Sequence, residues 1–105
     1  MMKLTKEQRT QRKMMLADLE SQGGEVFAFK DEGLTVVVVP AVDEAVSRFA
    51  RVSVAQCDFV DDTFKRKVGE FIALDRLELG ETFSVPYNDR DAEEIAEAVC
   101  ELMTG

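Results

Sequence analysis

The sequence predicts a small α+β domain in which helices pack against a short antiparallel sheet. Two β-rich runs, "EVFAFK" and "LTVVVV", are joined by "DEG", a hairpin signal whose glycine can sit at positive φ. A third run, "VSRFARVSVAQC", alternates Ala50, Val52 and Val54 with Arg51, Ser53 and Ala55. Three further segments carry helical periodicity, two of them opened by capping patterns.

The first helix begins near Thr5, which with Gln8 forms a capping box. Leu4, Met15, Leu16 and Leu19 fall on one arc at about 100° per residue. Residues 6 to 13 are almost wholly polar, so only the second half of this helix needs burial. "QGG" at 22 to 24 ends it, because glycine takes the left-handed C′ conformation without a Cβ penalty.

Of the strands, "LTVVVV" is apolar on both parities and reads as a central strand covered on both faces, or nearly so. Pro40 ends it and "AVDEA" is a turn. The alternation after it fits a half-exposed antiparallel strand. Asp61 or Asp62 caps the second helix, which runs through Leu77 or Leu79 to Gly80. Phe64, Val68, Phe71 and Ile72 form its apolar arc. "TFSVP" suits a short edge strand, with Pro86 at its end. Asp91 with Glu94 caps the last helix, whose Ala92, Ile95, Val99, Leu102 and Met103 make an apolar stripe opposite Glu93, Glu97 and Glu101. The expected order is α-β-β-β-α-(β)-α: a three- or four-stranded sheet with the helices on one face.

At 105 residues, 46% hydrophobic and 32% charged, the chain fits one domain spanning residues 1–105. The run "LTVVVVPAV" is far short of the roughly 18 residues a membrane span needs. The N-terminus carries charges throughout and lacks the apolar region of a secretory signal. A cytoplasmic location and no membrane partner are the expectation. Two cysteines, Cys57 and Cys100, are too few for a disulfide framework and read as reduced core thiols.

The chain contains no histidine. That removes the commonest general base, the usual partner of a serine or cysteine nucleophile, and the commonest transition-metal ligand. Cys57 precedes a helix and a basic cluster but has no base to activate it. Asp58, Asp61 and Asp62 do not satisfy a calcium loop, because Val60 stands at a ligand position and Gly69 replaces the closing glutamate. Asp75 lies on the apolar arc of its helix and reads as structural, reaching solvent or Arg48, Arg51 or Arg76. The only double glycine precedes a strand, so no phosphate-cradling loop is present. Neither an enzymatic activity nor a metal or cofactor is expected.

Net charge is −8, unevenly spread. Residues 1 to 24 hold five bases and three acids, net +2, whereas residues 78 to 105 hold eight acids and one base, net −7. Such an acidic end repels phosphate and favours a basic partner surface. Glu93, Glu97 and Glu101 are therefore the candidate partner-binding residues. The expected function is non-enzymatic: binding and modulating another protein through this acidic surface. Lys65, Arg66 and Lys67, on the first turn of the second helix, form the other candidate contact, for nucleic acid or a partner. Bases there oppose the helix dipole. Gly69, inside the same helix, suggests a close backbone approach. The edge strand at 82 to 85 and the exposed side of the sheet are two further surfaces on which a second copy can pair to give a homodimer.

Two resemblances bear on this reading. Cys57, Asp61 or Asp62, Phe64, Arg66-Lys67, Gly69, Ala73 and Arg76-Leu77 resemble a pattern of small uncharacterised bacteriophage proteins. The resemblance implies a phage or prophage origin and an unknown function, and it assigns no catalytic residue; with such an origin, the protein bound through the acidic surface is expected to be a host or phage protein in the host cytoplasm. The order α-β-β-β-α, with Lys65, Arg66 and Lys67 at the start of "TFKRKVGEFIALDRL", also resembles the double-stranded RNA-binding domain. There, bases at the start of the final helix grip phosphates across a groove. That resemblance implies a nucleic-acid-binding module using these bases and the basic N-terminal helix. It is the second reading, because "DFVDD" stands where a glycine-rich turn is expected and puts three carboxylates in the path of phosphates.

Overall fold

The computed structural model describes residues 4–40, 49–56, 66–87 and 90–104. They form α1 (Lys6–Ser21), β1 (Glu25–Phe29), β2 (Leu34–Val39), β3 (Phe49–Gln56), α2 (Arg66–Glu78), β4 (Phe83–Pro86) and α3 (Ala92–Thr104). This is the α+β order expected, with the fourth strand present. The "AVDEA" turn, the Asp61 or Asp62 cap, Phe64, Cys57 and Arg48 lie outside the described residues.

Local chemistry sets the helix ends. Thr5 Oγ1 accepts from the Gln8 N–H at 3.1 Å, and Gln8 Oε1 accepts from the Thr5 N–H at 2.9 Å. At the other end Gly23, at φ 75°, donates its N–H to the Glu20 carbonyl at 3.0 Å, and the Gly24 N–H reaches Leu19 at 2.9 Å. That double closure satisfies two carbonyls the helix would otherwise leave free. Gly80, at φ 78°, ends α2 in the same way through Leu77 and Arg76. Asp91 caps α3: its Oδ1 accepts from the Glu94 N–H at 2.9 Å.

The strands form one antiparallel sheet in the order β1-β2-β3-β4. Alternation along β2 splits its side chains between two cores. Val37 and Val39 meet Met15, Leu19, Phe71 and Leu74 beneath α1 and α2. Leu34, Val36 and Val38 meet Ala50, Val52, Ile95, Ala96 and Val99 beneath α3. All six positions of β2 are buried.

Two expectations are corrected here. The helices do not share one face, because α3 covers the side of the sheet opposite α1 and α2. The reason lies in β2: leaving Val36 and Val38 in water would forfeit roughly 1.5 to 3 kcal/mol for each side chain. Nor is β3 half-exposed along its length. Arg51 is exposed, but Ser53 and Ala55 lie buried beneath α2, where Ser53 Oγ donates to the Ala73 carbonyl at 2.6 Å. A small residue with a donor fits under a helix where a larger polar one could not. Among the described residues, no helix is long and apolar enough to cross a membrane.

Candidate functional site

The outer surface of α3 follows from its sequence. Ile95, Ala96, Val99 and Cys100 turn to the sheet and are buried, which fixes the rotation of the helix. Glu93, Glu94, Glu97 and Glu101 are all exposed as a result. No lysine or arginine occurs between Ala92 and Thr104. Arg90, the one base in residues 78 to 105, is held by backbone carbonyls: its Nε donates to the Tyr87 carbonyl at 3.2 Å and its Nη2 to the Pro86 carbonyl at 2.9 Å. It clamps the end of β4 to the start of α3. Among the described residues, no ion pair neutralises these acids.

The candidate partner residues Glu93, Glu97 and Glu101 thus come together on one solvent-facing stripe. Glu94 serves the cap, accepting the Asp91 N–H at 3.5 Å, yet stays exposed beside them. Apolar side chains flank the stripe near its end, Leu102 at 84% exposure and Met103 at 43%.

The basic cluster is less uniform than its sequence suggests. Lys65 lies outside the described residues. Lys67 is exposed. Arg66 is exposed too, but its Nε donates to Glu70 Oε1 at 3.0 Å. Glu70 accepts a second bond on its other oxygen, from Arg12 Nη1 of α1 at 2.8 Å. Glu70 is itself buried, so these two arginines neutralise a carboxylate that could not otherwise leave water.

Sequence reasoning missed this triad. One signal was available: Glu70 sits four residues before buried Leu74 and four after Arg66, placing it between the core face and a base. Asp75 is half-buried and makes no ion pair with another described residue. Arg76 instead donates to the Val54 carbonyl at 2.7 Å, tying α2 to β3. Gly69 is half-buried in the first turn of α2.

Cys100 is a free thiol buried beneath α3. Burial pushes its pKa up, as does the negative charge of Glu32 and Glu101, against a smaller lowering by a hydrogen bond with Thr104. A thiol held protonated is a poor nucleophile. Among the described residues, no group of three acidic or thiol side chains is placed to hold a metal ion. A cavity of about 60 Å³ lies between α1 and α2, lined by Met15, Leu19, Leu74 and Leu77 together with Asp18 and Glu78. The chain matches no family model, no curated protein and no solved structure.

Proposed function

We propose that the protein is a non-enzymatic interaction protein that docks a basic protein surface on the outer face of α3. The observation that carries this reading is the stripe of Glu93, Glu97 and Glu101, exposed together on a helix without a single base. A positive surface is drawn to such a stripe from a distance, and the contact is salt-sensitive because the charges stay in water. The resemblance of residues 57–77 to small phage proteins makes a host or phage protein the partner to look for.

Affinity capture from a host lysate after nuclease treatment tests the reading. A specific partner is expected to be retained at about 0.1 M salt and released at about 1 M, where the Debye length falls from about 10 Å to about 3 Å. Glu97→Lys with Glu101→Lys is expected to lose it. Capture that ignores both salt and this charge reversal would sink the reading.

One observation favours the second reading, nucleic-acid binding through Lys65, Arg66 and Lys67. The helices α1 and α2 lie on the face of the sheet opposite the acidic α3, as a phosphate-binding surface would require. Against it, Arg12 and Arg66 are already engaged by Glu70. Unchanged retention of a Lys65→Glu, Arg66→Glu, Lys67→Glu variant on RNA and DNA would remove it.

A further inference from the structure

The stripe on α3 has a counterpart on α1. Met15 and Leu19 turn α1 toward the core, and rotation by about 100° per residue then places Lys6, Arg9 and Lys13 on its solvent side. These bases run i, i+3, i+7. Glu94, Glu97 and Glu101 run i, i+3, i+7 on α3. At about 1.5 Å per residue, each set spans about 10 Å of its helix. Each stripe is flanked near its end by an exposed apolar side chain, Met14 at 65% on α1 and Leu102 at 84% on α3.

No ion pair among the described residues involves any of these six charged side chains. Because α1 and α3 lie on opposite faces of the sheet, one molecule cannot bring its own two stripes together.

We propose that the outer face of α3 is occupied by the outer face of α1 from a second copy of this chain. The inference rests on the reading of α3 as a docking surface and names its occupant. With the helices aligned in parallel, Lys6 meets Glu94, Arg9 meets Glu97 and Lys13 meets Glu101. Glu94 keeps carboxylate capacity for this contact, since its bond to the Asp91 N–H is long at 3.5 Å. The contact joins two different faces, so it propagates head to tail unless the rotation between copies closes a ring.

The net charge of −8 opposes the approach of two copies at long range. At about 0.15 M salt, with a Debye length of about 8 Å, that repulsion is largely screened while charges in contact still attract. Exposed ion pairs are individually weak. Association is therefore reversible and requires concentrated protein.

Sedimentation velocity and light scattering on the full chain, over a concentration series at about 0.15 M and about 1 M salt, test the proposal. The average mass is expected to rise with concentration, beyond that of a dimer unless a ring closes, and to fall to the monomer at the higher salt. Arg9→Glu with Lys13→Glu, and separately Glu97→Lys with Glu101→Lys, are each expected to be monomeric. An equimolar mixture of the two is expected to associate again, because the native bases of one then face the native acids of the other. Carbodiimide cross-linking of the unmutated protein supplies a measurement independent of any variant, with a Lys13–Glu101 linked peptide expected from the associated species alone.

A protein that stays monomeric across the series and yields no such peptide overturns the proposal. If it does so while still capturing a second protein in a manner lost on Glu97→Lys with Glu101→Lys, self-pairing falls and α3 remains a docking surface. If that capture is also indifferent to the reversal, both readings fall.

Discussion

Arg12 of α1 and Glu70 of α2, 58 positions apart in the chain, meet at 2.8 Å with side chains only 12% and 9% exposed. The pair bridges two helices that share one face of the sheet. Its two ends are unequal, because Glu70 also holds Arg66, whose side chain is 69% exposed.

Removing one partner is expected to cost more than removing both. Glu70→Ala leaves the Arg12 guanidinium buried without a counter-charge, and a loss of about 2–4 kcal/mol is expected in urea denaturation. Arg12→Met with Glu70→Met, which fills the space with apolar atoms, is expected to lie within about 1 kcal/mol of the unmutated protein. Equal losses in the two variants would mean that packing, rather than an orphaned charge, sets the cost.

The same pair marks where the sequence stops being legible. Both capping boxes, the hairpin and the two glycine closures rest on neighbours within five residues, and local chemistry alone predicts them. The contact of Arg12 with Glu70 is long-range, and no spacing in the chain encodes it. Which face α3 would cover was nearer to hand. The unbroken burial of Leu34 to Val39 demands two covered faces, a requirement that the expectation of one-sided helices did not meet. The exposure of Glu93, Glu97 and Glu101 was readable because a strong apolar stripe fixes the rotation of α3, whereas the reach of Arg12 from α1 to the carboxylate that also holds Arg66 was not.

Both cores are expected to be indispensable. Leu74→Ala under α2 and Ile95→Ala under α3 remove side chains that are 1% and 0% exposed. Each is expected to lose about 2–5 kcal/mol, with the spread set by how far the site collapses. A loss below about 1 kcal/mol for Ile95→Ala would show that α3 adds little to the fold.

Gly24 and Gly80 are expected to respond differently to alanine. At Gly80 nothing lies within 4 Å of an added Cβ, so Gly80→Ala should cost only the left-handed backbone, about 1 kcal/mol. At Gly24 the new methyl would overlap the buried Leu19 side chain, with Leu19 Cγ at 2.8 Å and the Val38 carbonyl at 3.1 Å. Gly24→Ala is expected to lose about 2–3 kcal/mol by forcing α1 away from β2. Thermal melts of the pair would reveal the order, and a milder effect at Gly24 would contradict the close approach.

Cys100 is expected to couple stability to alkaline pH. Its folded pKa is raised, chiefly by burial, so the folded state holds the thiol proton more tightly than the unfolded chain does. The resulting stabilisation is full below the ordinary thiol range and is lost as pH rises through the raised folded value. In a Cys57→Ser background, iodoacetamide is expected to modify Cys100 slowly until denaturant is added, and Cys100→Ala is expected to flatten the alkaline limb of the stability profile. Rapid labelling of the native protein at neutral pH would contradict this.

Placing α1 and α3 on opposite sides of the sheet also sets unlike charge apart. Residues 6 to 21 carry four bases and three acids, whereas residues 92 to 104 carry four acids and no base. The side chains buried in the sheet between them carry no charge. Of the two helices, α3 therefore exerts the stronger pull on a positive target, and that pull acts at long range, before a single side chain has made contact.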